Sequence, residues 1–212
     1  LGLEETRQNY QAIADRQWQV VKEEYFTATG RCAVKTQTGL VLALKYHLSD
    51  NERLTEQMLR KLLRDNKNKL NTGFVGTPLL CNVLTEHGMT DLAYRLLLNE
   101  EYPGWLHEVK LGATTVWERW NSLDENGRIS STGMNSLNHY SYGAVLEWIF
   151  RHVAGIDVTE QGPGGKMMRI SPKVDHKLGS ASAVYDSASG CYRCGWQIAN
   201  GDQITVTVTV PF

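Results

Sequence analysis

Apolar residues in the first 155 or so positions recur at intervals of three or four, the spacing that gathers them on one face of an α-helix. The segment 38–47 is apolar nearly all round, which predicts a helix buried on most sides. About six helices are predicted, at about residues 3–26, 38–47, 51–66, 77–87, 91–100 and 135–154. Their connections are short and contain no strand, so we expect antiparallel helix pairs in two layers, one inside the other. Helices in that arrangement would make half of a closed double ring.

The last predicted helix, 135–154, opens with polar residues and then becomes apolar. The polar residues at its start are Asn135, Ser136, Asn138 and His139. The candidates for burial farther along are Tyr140, Ala144, Val145, Trp148, Ile149 and Val153. Gly155 is the expected stop, because glycine tolerates the left-handed conformation that ends many helices.

After residue 155 the pattern changes to short alternating segments separated by Gly, Asp and Ser, which is typical of β-strands. Four strands are predicted, in "GKMMRIS", "SASAVYDS", "YRCGWQI" and "QITVTVTVPF". The last places its Ile and Val residues on one face and its Thr residues on the other, which indicates an antiparallel sheet with one buried face. The predicted organisation is therefore mainly α with a β tail, in two domains, 1–155 and 156–212.

Composition and charge narrow the possible functions. The formal net charge of −1 argues against an electrostatic nucleic-acid binder, and no apolar run has the length of a membrane span. The chain has four cysteines and one C-x-x-C, whereas a structural zinc site usually takes four ligands, so free thiols and no metal or cofactor are expected. It starts at Leu1 with neither Met nor a signal-peptide pattern, which we interpret as the cut edge of a longer protein. The compartment is therefore left open.

The candidate chemistry lies in segments between the helices, above all in "GATTVWERW", residues 112–120. Glu118 lies there between Trp117 and Trp120. Aromatic faces pack on the C–H faces of sugars, and a carboxylate among them can take a proton from an attacking water. These residues could instead have purely structural roles. Glu118 would then form an ion pair with Arg119, His139 would make a structural hydrogen bond, and the tryptophans would belong to the core.

Four motifs, in order along the chain, resemble a known family: "GFVGTP", "YPGW", "GATTVWERW" and "MNSLNHYSYGAVLEW". They are similar to the C-terminal half of the catalytic domain of α-L-rhamnosidases, glycoside hydrolase family 78. The tail from "GGKMMRISPK" resembles the family's C-terminal β-domain. The resemblance implies part of an (α/α)6 barrel followed by antiparallel strands of a β-sandwich-like domain. It also implies removal of terminal α-L-rhamnose from glycosides or polysaccharides, with inversion of configuration.

The resemblance also implies roles for individual residues. Glu118 would be the general base that activates water, and His139 would bind the rhamnose. Trp105 is the candidate for an aromatic wall of the sugar site, while Trp117 and Trp120 would pack around Glu118 and orient it.

The family's general acid lies upstream, in a motif Asp-x-x-x-Arg-x-Glu that this chain lacks. An inverting glycosidase needs both carboxyl groups. We therefore expect a fragment that has little or no activity alone. Its inner helices would lack the cover of the other half-ring, so self-association or a partner segment is expected.

Two other functions remain open at this stage. One is a different enzyme on the same scaffold, either another (α/α)6 glycosidase or a polysaccharide lyase, which would use Tyr140 or His139 as its base and would release an unsaturated uronide. A non-catalytic binding or scaffold module would use the tryptophans to hold a glycan and would break no bond.

Overall fold

The computed structural model describes residues 2–131, 133–159 and 161–211. The chain forms two compact units, Leu1–Leu79 and Leu80–Phe212. None of the described helices has the length and apolar composition needed to cross a bilayer. The elements follow the order that the sequence predicts, with the helices first and the antiparallel strands afterwards.

The first unit contains three helices, α1 (Glu4–Tyr25), α2 (Gln37–Lys45) and α3 (Glu52–Asp65). Thr36 and Asn51 cap α2 and α3, each accepting a hydrogen bond from a first-turn backbone N–H. As predicted, α2 is buried on most sides. The helix α3 buries one stripe of residues spaced four apart, Thr55, Leu59 and Leu63. No side chain of α1 is fully buried within this chain.

The helix α4 (Thr77–Glu86) contains the boundary between the units and is followed by α5 (Thr90–Leu97). Met89 occupies the N-cap position of α5, so neither Thr90 nor Asp91 caps this helix. A further helix, α6 (Trp105–Lys110), lies in a stretch that was expected to be a loop. It has only six residues, so its apolar spacing repeats too few times to be recognised as a period.

The predicted helix 135–154 is wrong in its first part. Residues 135–140 are not helical, and the run that follows is a 3-10 helix (Ser141–Ala144), α7 (Val145–Trp148) and a π-helical turn (Ile149–Val153). The backbone groups of 136–139 bind another segment instead of each other, which prevents an α-helix there. Tyr140, a predicted core residue, is consequently 86% exposed.

The later part of this helical run is buried in the core of the second unit. Trp148 is fully buried; its indole N–H donates to the Thr85 hydroxyl at 2.8 Å, and its ring meets the edge of Tyr94. Farther on, Trp196 donates to the Val153 carbonyl at 2.7 Å. These contacts attach the helical run to α4, to α5 and to the following sheet.

The strands form two antiparallel sheets. One pairs β1 (Ile156–Val158) with β2 (Met168–Ile170), and the other has the order β3 (Ser180–Ser187), β4 (Gly190–Ala199), β5 (Gln203–Thr209). A 3-10 turn, Pro163–Gly165, lies between β1 and β2. The fourth predicted strand included Phe212, which lies outside the described residues.

The predicted buried face is present on β4 and absent on β5. Tyr192, Cys194 and Trp196 of the central strand β4 are buried. On the edge strand β5, Ile204 and Val206 remain 46% and 47% exposed, because a strand that is paired on one side only has fewer neighbours to cover it. The expectation that β5 buries its apolar face is therefore wrong within this chain.

Gly155 turns the chain from the helical run into β1 with φ 81°, in the left-handed region. A Cβ added there would lie 2.2 Å from the backbone nitrogen of Pro172. Gly179 has nearly the same φ, 80°, with nothing within 4 Å of an added Cβ. Alanine substitutions at the two glycines therefore separate the effect of backbone strain from that of a steric clash.

We expect Gly155→Ala to lower the free energy of unfolding by about 3 kcal/mol or more, since strain and an immovable backbone contact add. The control Gly179→Ala should cost only about 1 kcal/mol, from strain alone. Urea unfolding of the two variants and the wild type measures both. Equal losses would contradict the close approach at Pro172.

Candidate functional site

The segment that contains Glu118 is hydrogen-bonded side by side to residues 136–139. The backbone N–H of Glu118 donates to the Ser136 carbonyl at 2.9 Å, and the N–H of His139 donates to the Val116 carbonyl at 2.8 Å. The Thr115 hydroxyl donates to the Leu137 carbonyl. Two stretches about 20 residues apart, "TTVWE" and "SLNH", are thus held in one fixed register.

We call these contacts between residues 115–118 and residues 136–139 the clamp, and the carboxylate of Glu118 is part of it. Its Oε2 accepts a hydrogen bond of 2.7 Å from the Ser136 backbone N–H, and the residue is only 7% exposed. None of the ion pairs among the described residues includes Glu118, so the pairing with Arg119 that the sequence left open is absent. A carboxylate accepts about four hydrogen bonds, so one that is held by a backbone N–H can still accept others.

The residues between the two halves of the clamp close a turn. Asp124 accepts hydrogen bonds from the backbone N–H groups of Asn126 and Arg128 at 2.9 and 2.8 Å. The side chain of Asn135 then donates to the Ser122 carbonyl at 2.9 Å. This local network returns the chain to Ser136, the partner of Glu118.

Aromatic rings pack beside the clamp. Trp120 stacks on Tyr142 with ring centroids 4.0 Å apart and 9° between the planes. Trp105 meets Trp120 edge to face at 5.4 Å, and its indole N–H donates to the Tyr142 carbonyl at 2.9 Å. Trp117 and Trp120 are buried, whereas Trp105 keeps part of its surface exposed.

His139 follows the clamp directly. Its Nδ1 accepts a hydrogen bond of 3.2 Å from the Ser141 backbone N–H, and its ring stacks on Tyr140. An accepting Nδ1 requires the tautomer with its proton on Nε2. Nε2 then carries the proton, and the structure brings the ring into the segment that binds Glu118.

Glu108 is a member of this region that sequence reasoning missed. It lies on α6 and is 3% exposed. Burial raises the pKa of its carboxyl to about 8, a shift that the backbone of Trp117 opposes. Its only sequence signal is the three-residue spacing from Trp105, which places both on one face once α6 is recognised.

Among the described residues no group of three or more His, Cys, Asp or Glu side chains is placed to hold a metal ion. The side chains in this region include carboxyls, an imidazole, indoles and the phenol of Tyr142. Such a set can bind a neutral polar ligand and move a proton.

Two family models match the chain. The bacterial alpha-L-rhamnosidase 6 hairpin glycosidase domain covers residues 1–153, and the bacterial alpha-L-rhamnosidase C-terminal domain covers residues 155–212. The chain belongs to the α-L-rhamnosidase family. The predicted fold class, part of an (α/α)6 barrel followed by a β-domain, is thereby confirmed.

Individual α-L-rhamnosidases agree with that assignment. The chain is 43% identical over 180 residues to one from Alteromonas sp. (strain LOR), covering 84% of this chain and 19% of the relative. It is 37% identical over 214 residues to one from Formosa agariphila, covering 100% of this chain and 23% of the relative. The chain thus spans about a fifth of the length of these relatives.

Solved α-L-rhamnosidases have the same fold. The Streptomyces avermitilis enzyme, complexed with L-rhamnose, matches with a TM-score of 0.89 at 34% identity, over 96% of this chain and 20% of that one. The Aspergillus terreus enzyme matches with a TM-score of 0.92 at 31% identity, over 98% of this chain and 24% of that one.

Proposed function

We propose that this chain is the segment of a longer α-L-rhamnosidase that carries the general base, Glu118. The whole protein would remove terminal α-L-rhamnose from glycosides or polysaccharides, with inversion of configuration. The observation that supports this most strongly is the Glu118 carboxylate, held by the Ser136 N–H among tryptophans in a chain of this family. That the related Streptomyces avermitilis enzyme was solved with L-rhamnose supports the substrate class.

In the proposed reaction the ionised Glu118 accepts a proton from a water molecule as that water attacks the anomeric carbon of rhamnose. A general acid on a part of the protein outside this chain protonates the leaving oxygen. In inverting glycosidases the two carboxyl groups lie about 6.5–9.5 Å apart, with room for the water between them. A rigid base is an advantage here, since small errors in the position of the water cost rate.

His139 and Trp105 are the proposed sugar contacts. The Nε2–H of His139 would donate to a rhamnose hydroxyl, because its Nδ1 is already occupied by Ser141. Trp105 would offer its exposed part to the apolar face of the ring, while its indole N–H stays bound to the Tyr142 carbonyl. Trp117 and Trp120, both buried, would pack around Glu118 and orient it.

Two coarser features of the protein are proposed with this function. The barrel segment would end at residue 155 and the β-domain would begin at 156. The isolated chain would self-associate through apolar surface that the rest of the barrel covers, as the exposure of Tyr10 and Val20 on α1 suggests. We expect the chain alone to have little or no hydrolytic activity.

The first test substitutes the proposed base in the full-length protein that carries this chain. Glu118→Gln keeps the size of the side chain but cannot accept the proton, so kcat on an aryl α-L-rhamnoside should fall by about 10²–10⁴-fold. Glu125→Gln, at an exposed position of the neighbouring turn, should change kcat little. No rhamnoside cleavage by the wild type would overturn the proposed substrate, and a fully active Glu118→Gln would overturn the role of Glu118.

The second test concerns the sugar contact. His139→Ala removes the Nε2 donor, so kcat/KM should fall by about 10–100-fold, the loss expected for one buried hydrogen bond to substrate. Asn138→Ala, one residue earlier and exposed, is the matched control and should leave kcat/KM unchanged. Equal behaviour of the two variants would contradict the assignment.

A further inference from the structure

A cavity of about 310 Å³ lies in the second unit, at the end of the helical run that is farther from the clamp. It is lined by residues from the end of α4, the π-helical turn, β2 and the segment that follows β2. The helical run, residues 141–153, is about 20 Å long at about 1.5 Å per residue, and the clamp joins its first end. The cavity is therefore not part of the proposed sugar site.

Three donor side chains line the cavity from one extended segment. Arg169, Ser171 and Lys173 occur at every second position, and side chains two apart in an extended chain lie on the same face. Backbone hydrogen bonds recur with the same spacing. The N–H of Ser171 donates to the Gly155 carbonyl at 2.9 Å, and the N–H of Lys173 donates to the His152 carbonyl at 2.7 Å. One wall of the cavity thus presents a guanidinium, a hydroxyl and an ammonium group in a fixed order.

The backbone of Lys173 is held on both sides. The hydroxyl of Tyr94, a residue only 2% exposed, donates to the Lys173 carbonyl, while the Lys173 N–H is bound to His152. The side chain of Lys173 is exposed, and it takes part in no ion pair within the part of the chain that the structure describes. The chain is therefore fixed at this point, and the ammonium group can pair with a ligand.

The two arginines of the cavity share one carboxylate. Nε of Arg151 donates to Asp157 at 2.8 Å, and the guanidinium of Arg169 donates to the same carboxylate. Arg151 also pairs with Glu147 at 2.9 Å, so its charge is balanced by two carboxylates. A guanidinium has five N–H groups, so Arg169 is held by Asp157 and can still donate to a ligand.

Two of the polar side chains that line the cavity are buried, those of Thr85 and His152, which are 8% and 7% exposed. The Thr85 hydroxyl accepts from Trp148 and can donate its own proton. Nε2 of His152 has no hydrogen-bond partner among the described residues. Buried polar side chains without a partner are rare, and a cavity that receives a polar ligand accounts for one here.

The His152 ring adds hydrogen-bonding capacity but no charge. Burial lowers the pKa of the ring, and the charges of Arg151 and Arg169 lower it further, whereas Glu86 and Asp157 oppose the shift. The ring is therefore neutral at neutral pH. The positive charge that a ligand would meet comes from the arginine and lysine side chains.

Donors outnumber acceptors in this lining. Among the described residues that line the cavity, Glu86 is the one carboxylate, against two arginines, one lysine and two hydroxyls. Such a lining suits an acceptor-rich ligand, and cationic side chains make their strongest hydrogen bonds to oxyanions. The volume lies at the lower end of the range for pockets that hold small organic molecules.

We propose that this cavity is a binding site for an oxyanion, with Arg169 and Lys173 as its cationic contacts and Ser171 as a hydroxyl donor. The oxyanion is a free inorganic ion such as sulfate or the acidic group of a small organic molecule such as a uronate, and the same donors bind both. The site is distinct from the one proposed for rhamnose, and the inference does not depend on that function.

Calorimetric titration of the full-length protein that carries this chain tests the site with inorganic sulfate, D-glucuronate and neutral D-glucose. The titrations are made at low ionic strength, because salt screens exposed charges. Lys173→Met removes the charge, keeps most of the length of the side chain and leaves both backbone hydrogen bonds in place. Lys166→Met is the matched control, at an exposed lysine between β1 and β2 that does not line the cavity.

We expect at least one of the two anions to bind the wild type and Lys166→Met equally, and glucose to bind neither. Lys173→Met should weaken the binding of the anion about tenfold, since it loses a charge-assisted hydrogen bond. Tighter binding of glucuronate identifies an organic acid as the ligand, and tighter binding of sulfate identifies the inorganic ion. Failure of both anions to bind, or equal binding to the wild type and Lys173→Met, would overturn the proposal.

Thermal unfolding and activity give two further readouts. The anion that binds should raise the unfolding midpoint of the wild type and of Lys166→Met more than that of Lys173→Met, because a ligand stabilises the state to which it binds. Without the anion, Lys173→Met should cleave an aryl α-L-rhamnoside with kcat within about twofold of wild type, which also shows that the variant folds. Loss of cleavage in this folded variant would contradict the separation of the cavity from the sugar site.

Discussion

Two backbone hydrogen bonds and one carboxylate hydrogen bond join residues 116–118 to residues 136–139. The Glu118 N–H and the Ser136 carbonyl form one, and Oε2 of Glu118 with the Ser136 N–H forms another, so one residue pair exchanges two bonds of 2.9 and 2.7 Å. This exchange fixes both the backbone and the side chain of Glu118.

The clamp is rigid because its second half leads directly into the core. After His139 the chain enters the 3-10, α7 and π-helical run, in which Trp148 is fully buried and bonded to Thr85. Trp196 of β4 bonds the end of that run at Val153. Glu118 is thus connected, through Ser136, to a helical run that is anchored in the core, and loops supported in this way are where proteins place catalytic groups.

Sequence periodicity predicted the helices that bury a regular stripe, such as α3, and the alternating strands β3 and β4. It failed at residues 135–140, because the backbone there binds residues 116–118, and a partner so distant in sequence leaves no periodic signal. It missed Glu108 for a related reason. A lone glutamate is expected to be exposed, and the burial of Glu108 follows only once the six-residue helix α6 is recognised. The proposed role of Glu118 was inferred from the motif resemblance, whereas its hydrogen bonds to Ser136 were seen only in the structure.

The central claim is that Glu118 activates the attacking water, and chemical rescue of Glu118→Gly in the full-length protein tests it most directly. With the carboxylate removed, an azide ion fits where the water attacked and needs no base. The account predicts that azide restores cleavage of an activated α-L-rhamnoside and yields the β-L-rhamnosyl azide, since azide attacks from the face opposite the leaving group. No acceleration by azide, or formation of the α-L-rhamnosyl azide, would contradict the assignment of Glu118 as the base of an inverting reaction.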